Sequence, residues 1–373
     1  NEIDTEISKV KSCQDCHMSK GIQDQGSGVA LDQIKTRIAV VQDLTYPDAE
    51  NLASHEELNV RYREEYSRHN FRGLNLFMLE MFNQFDDVLG VRKHDYMTGS
   101  KTDMALAVND FVRQARNDTA EIEVDSSWTG PNELTSTVDI QSLAGHRFPS
   151  GVGFRRAFVE FLVLDESKPE GEQVVWSSGR TNEIGVIVDH QGNPLPTEFF
   201  ELDALGNEQY QPHYELIESD AQVQIYEILL HNRSGEFTTS FIHGCETIKD
   251  NRFLPKGWTR KGPGGGLKGH FLTATYPGPV AGQDSRYQDG SGTDRVRYKV
   301  QLDGTHDRSN ISVKATLYYQ AMPPYFLKNI FDLSPNGDAT RRLHYICSNL
   351  KLEGTAIEDW KLEVVSADAR PKP

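Results

Sequence analysis

Cys13-Gln14-Asp15-Cys16-His17 sets two thiols three positions apart, with an imidazole directly after the second. Few short patterns constrain a chain more, because this spacing dictates what can be attached to it. Thiols so spaced lie on one helical turn and add across the two vinyl groups of a haem, and the adjacent His swings onto the iron as proximal ligand. A thioredoxin-like redox pair would need a βαβ setting, which the surrounding residues do not offer. A zinc site would need more Cys or His close by, and the other cysteines, Cys245 and Cys347, lie far along the chain. The expected cofactor is one covalent haem c, held by Cys13, Cys16 and His17.

The sixth position on the iron decides the chemistry: a second His or a Met makes an electron carrier, and an open position permits ligand binding. His69 is the first candidate, in His-Asn-Phe-Arg-Gly-Leu-Asn at the start of an amphipathic helix. His146 in Gly-His-Arg-Phe-Pro-Ser-Gly is the alternative, followed by His55 and His94. Met78 and Met81 fall on an apolar helical stripe and read as core, and Met18 follows the proximal His too closely to reach the opposite face.

The first 120 residues read as helical. Leu31, Ile34, Ile38 and Val41 recur at helical spacing. Leu74, Phe77, Met78, Met81, Phe82, Phe85, Val88 and Leu89 do so more strongly, with Gly90 as stop signal. A third helix is expected from Ser100 through Met104, Val108, Phe111, Val112 and Ala115. After Asn117 short β-branched and aromatic runs alternate with Gly, Pro, Asn and Asp turns. Candidate strands are 135–140, 154–164, 173–176, 222–230, 295–302 and 311–319. The expected fold is α+β: a small helical haem c domain over 1–120, then a β-sandwich domain over 121–373.

The charge of −16, from 39 basic and 55 acidic residues, repels nucleic acid and anionic lipid. No stretch approaches the ~18 apolar residues of a membrane helix. The chain opens at Asn1 without a basic n-region or apolar h-region, which leaves a signal peptide removed or never included, or a start inside a longer precursor. Haem c maturation implies an oxidising, periplasmic or extracellular compartment. There Cys245 and Cys347 are expected to form a disulfide worth about 4–5 kcal/mol for a roughly 100-residue loop, the alternative being two buried free thiols. The polar stretch Asp284 to Asp294 is a candidate for Ca²⁺ through oxygen ligands, although its spacing is not that of an EF-hand. Lys249-Asp250-Asn251-Arg252 reads as a buried polar network.

Cys-Gln-Asp-Cys-His-Met followed by His-Asn-Phe-Arg-Gly-Leu-Asn resembles the terminal haem segment of bacterial multihaem c-type cytochromes. Similar texture continues through Gly145–Gly151 and Arg155-Arg156, then Lys249–Gly257, Thr293–Val296, Leu317–Gln320 and Pro323-Pro324, as in the β-rich C-terminal module of such proteins. That family carries several C-x-x-C-H motifs and this chain has one, so it is either a monohaem relative or part of a longer chain. The resemblance implies electron transfer with redox proteins, other cytochromes among them, as partners. Two alternatives stay open: a haem enzyme or ligand sensor with an open distal site, and a secreted structural or adhesion module.

Overall fold

Alternation along the chain sets two long strands, each covered more on one face than on the other. Buried and half-buried residues alternate throughout Glu133–Ser142, and buried and exposed ones through most of Thr293–Gln301. Arg156–Asp165 is covered almost throughout, as a strand with neighbours on both faces must be. The structure is a computed structural model that describes residues 17–18, 38–40, 61–63, 72–93, 104–262 and 273–373. The chain separates into two units, Asn1–Gly73 with Asp103–Asp110, and Leu74–Thr102 with Phe111–Pro373.

In the first unit the described strands are β1 (Ile38–Val40) and β2 (Arg61–Arg63), an antiparallel pair. Periodicity predicts a helix through Ile38, yet that residue lies on a strand. β-Branched Ile38 and Val40 suit an extended chain once a partner strand is available. Leu31, Ile34 and Val41 lie outside the described residues.

The second unit begins with α1 (Leu76–Gln84) and α2 (Asp86–Leu89); α3 (Ala105–Asp118) spans the boundary between the units. The Asn75 side chain caps α1 by accepting from the Met78 N–H at 3.1 Å, and Gly90, at φ 67°, ends α2 as expected. The expected single helix over 74–89 is broken at Phe85, whose φ of −127° is not helical.

The strands follow in order: β3 (Ala120–Trp128), β4 (Glu133–Ser142), β5 (Arg156–Asp165), β6 (Val174–Ser178), β7 (Arg180–Thr181), β8 (Ile187–Val188) and β9 (Leu216–Ile217). Next come β10 (Ile225–Tyr226), β11 (Ile228–His231), β12 (Phe237–Thr238), β13 (Glu246–Asp250), β14 (Thr293–Gln301) and β15 (Ile311–Gln320). Two helices, α4 (Pro324–Leu333) and α5 (Asp338–Asn349), precede β16 (Leu362–Ala369). One sheet runs β3-β4-β14-β9. A second runs β10-β5-β15-β16 with β6 also paired to β5, and a third runs β12-β11-β13. The first two meet through their side chains: Phe161 of β5 stacks on Tyr298 of β14 at 4.1 Å, with Trp176 of β6 edge-on to both.

This corrects the expected fold class. Among the described residues the chain is mainly β, and no small helical haem domain is evident. The apolar face of α1 is buried within the β-rich unit, where Phe77 meets Trp360 at 4.2 Å. Gln84 also exchanges hydrogen bonds with the Lys351 backbone. An amphipathic stripe reports that a helix has something to cover, and not what.

The hairpin turns repeat one device. In Asn182–Val186, Asp189–Asn193, Asp203–Asn207 and Asn232–Glu236 the first side chain accepts N–H bonds from the third and fifth residues. The fourth is always a glycine in the left-handed region, the geometry of an Asx turn closing a short β-loop.

Asp165, at the end of β5, accepts from the Ser167 hydroxyl and N–H and lies 2.8 Å from the His306 Nδ1. The Ser167 hydroxyl first, and His306 next, hold its carboxyl down at about 2. A value below the roughly 3.9 of an unfolded aspartate gives stability that is fully present above that value and is lost as pH falls through about 2. Urea midpoints should therefore fall between about pH 4 and pH 2. Asp165→Asn should be the weaker protein at neutral pH and converge with its parent at the acid end. Parallel profiles would remove Asp165 from the acid limb.

Candidate functional site

His17 is half-buried and tied to the segment that sequence reading singled out. Its Nδ1 lies 3.0 Å from the Arg72 carbonyl oxygen, and the Arg72 N–H donates to the His17 carbonyl at 2.8 Å. Arg72 is the fourth residue of His-Asn-Phe-Arg-Gly, so these reciprocal bonds join the last residue of C-x-x-C-H to one residue of that stretch. The Arg72 Nε is in turn 2.9 Å from Asp110 on α3. A carbonyl can only accept, so the neutral His17 ring carries its proton on Nδ1 and its lone pair on Nε2. That is the tautomer an iron ligand needs, oriented by a backbone acceptor as metal-bound imidazoles commonly are. Cys13, Cys16, His55, His69 and His94 lie outside the described residues. Sequence reading missed Arg72, whose contribution is a backbone carbonyl and leaves no residue-type signal.

His146 belongs to the second unit and is exposed, with its Nδ1 2.9 Å from the Arg147 carbonyl oxygen. Its ring is thus set in the same tautomer as that of His17.

Asp284 and Asp294 of the calcium candidate are buried, with carboxylate oxygens 3.3 and 3.9 Å from the His213 Nε2. Burial raises the Asp294 carboxyl despite His213 and Tyr226. Burial also pushes Asp284 upward, but His213 and the Arg286 N–H outweigh it and leave that group lowered. The surrounding amides decide what the cluster can hold. Gln224 accepts the Tyr214 N–H through Oε1, so its Nε2 faces both Asp294 and the His213 Nδ1, each at 3.0 Å. Asn251 is fixed likewise, accepting the Glu227 N–H and donating to the Ile225 carbonyl. With N–H donors facing Nδ1, that atom holds the lone pair and Nε2–H points toward Asp284. Tyr226 O–H and Arg295 N–H also donate to Asp294. The carboxylates are satisfied by protein donors, and His213 offers a cation a proton where it would need a lone pair.

The Lys249–Arg252 segment is a buried polar network, as its sequence suggests. Lys249 donates to Glu227 at 2.9 Å and to the Ile225 carbonyl, while Asp250 lies between Arg147 and Arg252. Burial lowers the Lys249 ammonium against the pull of Glu227. The expected Cys245–Cys347 disulfide is absent, and both thiols are free. Cys245 is exposed at the start of β13, where its Sγ approaches the His231 carbonyl oxygen at 3.7 Å. Cys347 sits on α5, where burial pushes its thiol up to about 12. A shared compartment does not make a bond; the fold must also bring the thiols together. No helix among the described residues is long and apolar enough to cross a membrane.

No protein-family model matches the chain, and no curated protein matches its sequence. Among solved structures, a penta-heme cytochrome c552 from Thermochromatium tepidum is similar at 13% identity with a TM-score of 0.35. The overlap covers 74% of this chain and 45% of that one, so this chain spans less than half of that protein's length. A likeness of that size carries neither fold nor function across.

Proposed function

We propose that the chain is a c-type electron-transfer protein of the periplasm or cell exterior, with one haem joined to Cys13 and Cys16 and His17 on the iron. The carrying observation is the bond from the His17 Nδ1 to the Arg72 carbonyl oxygen at 3.0 Å. A carbonyl oxygen only accepts, so the neutral ring has its lone pair on Nε2, the tautomer a metal ligand needs, in the residue that the C-x-x-C-H motif nominates. When bound, the haem supplies a reversible one-electron change at iron. The chain's own share is to fix the proximal ring, anchor the macrocycle and limit access to the other face. We assign that face to His69: an extended chain puts it within roughly 11 Å of Arg72, whose backbone is already held on His17. Redox proteins, other cytochromes included, are the partners that this reading requires.

Intact mass of the protein from a host that matures c-type cytochromes should exceed the polypeptide by one haem, and acid–acetone should leave the pigment on the chain. Cys13→Ser with Cys16→Ser should yield colourless protein. His69→Ala should turn ferric iron from low to high spin and open it to cyanide, while His146→Ala should change little. Extractable pigment would sink the covalent reading. A high-spin parent that already binds cyanide would replace the electron carrier with an open-site haem protein.

A further inference from the structure

A cavity of about 200 Å³ lies in the β-rich unit between the residues that follow β8, strand β12 and helix α4. The rings of Phe200, Phe237 and Tyr325 line it, together with the charged groups of Glu208, Lys328 and Asp332. Phe200 and Phe237 stack at 3.7 Å, and Tyr325 meets them edge-on at 5.5 and 5.7 Å. Phe200 has φ 54°, in the left-handed region that a bulky side chain takes only at a cost. Backbone strain of this sort is kept where it positions a group, and here it sets an aromatic ring beside a cavity.

The charges select the occupant. Two carboxylates line the space against one ammonium, and Lys328 is already paired with Asp332, one helical turn away. Glu208 is fixed at the site by the Phe237 N–H at 3.0 and 3.1 Å and by the His231 ring at 3.1 Å. Aromatic rings and surplus negative charge together favour a cation. The volume is below the roughly 300–1,000 Å³ of sites that take drug-sized molecules, so one side chain is the scale that fits. A net charge of −16 draws basic proteins toward this surface in the first place. We propose that the cavity receives a single arginine side chain presented by a basic protein partner. A guanidinium is planar, stacks on aromatic rings and offers a carboxylate two parallel donors, which an ammonium cannot do.

The test titrates the full chain with N-acetyl-arginine-N-methylamide, its uncharged citrulline counterpart and the lysine analogue. Calorimetry and proton NMR report binding. The arginine compound should bind saturably, with its δ-methylene protons shifted upfield by the rings. Citrulline should bind at least roughly fivefold more weakly, and lysine more weakly than arginine. Glu208→Gln and Asp332→Asn should each weaken arginine and leave citrulline unchanged. If Glu208→Gln does not fold, Asp332→Asn on the exposed side of α4 decides alone. No saturable binding, equal binding of arginine and citrulline, lysine binding as well as arginine, or indifference to the carboxylate variants would each overturn the proposal.

Discussion

Gly179→Ala should abolish cooperative folding. Gly179 sits between β6 and β7 at φ 78°, and a Cβ there would lie 2.2 Å from the Val159 carbonyl oxygen and 3.2 Å from the Glu160 Cα. Both contacts are backbone atoms of β5, which is held by β15, β10 and β6 and cannot retreat. An alanine also pays the left-handed penalty of about 1–2 kcal/mol. Together these should cost at least about 4 kcal/mol, a large part of the stability of an ordinary domain. Gly171 is the control, with φ 89° but nothing within 4 Å of its would-be Cβ. Gly171→Ala should show the conformational penalty alone, as a modest shift in the urea midpoint. If the two variants lose the same amount, the close approach of Gly179 to β5 is wrong.

Arg156→Met should cost about 3–5 kcal/mol, because it strands a buried carboxylate. Arg156 opens β5 and is 2% exposed. Its Nη1 and Nη2 donate to the two Glu198 oxygens at 2.7 and 2.9 Å, and its Nε donates to Gln320 at 2.7 Å. Glu198 also accepts the Ile187 N–H, and Gln320 donates to the Gly185 carbonyl, so one ion pair ties four separate segments. Burial alone would lower the guanidinium; Glu198 outweighs it and leaves it raised. Glu198→Leu by itself should be comparably harmful. The double variant Arg156→Met with Glu198→Leu should lose far less than the sum, since the cost lies in an unpaired buried charge rather than in the absence of the pair. Additive losses in urea unfolding of the three proteins would contradict this account.

The same contrast between local and distant causes separates what could be read in advance from what could not. Local periodicity placed strands at 135–140, 295–302 and 311–319 close to where β4, β14 and β15 lie. It also placed a helix over 104–115, near α3, and a stop at Gly90. It passed over β3, β16 and α5, where apolar residues are diluted by charged ones, as in Asp338–Asn349, and over the mostly apolar α4. That Gly, Asn and Asp turns punctuate the strands was legible too, although the Asx-x-x-Gly pattern they share was not singled out. The chemistry open to Cys13, Cys16 and His17 is likewise set by residue type and spacing alone.

Only tertiary structure decided the rest. Leu76–Leu89 carries an apolar stripe that would suit many cores, and contact with Trp360 committed it to the β-rich unit. Ile38 could serve a helix or a strand until β2 supplied a partner. Asp284 and Asp294 looked like oxygen ligands until Gln224 and Asn251, from distant positions, fixed which His213 nitrogen bears the proton. Cys245 and Cys347 were countable in the sequence, but their separation was not. Spacing along a chain fixes which groups share a turn or a face. Which donor meets which acceptor across the fold is settled only when distant segments close on one another, and that closure depends on the whole core.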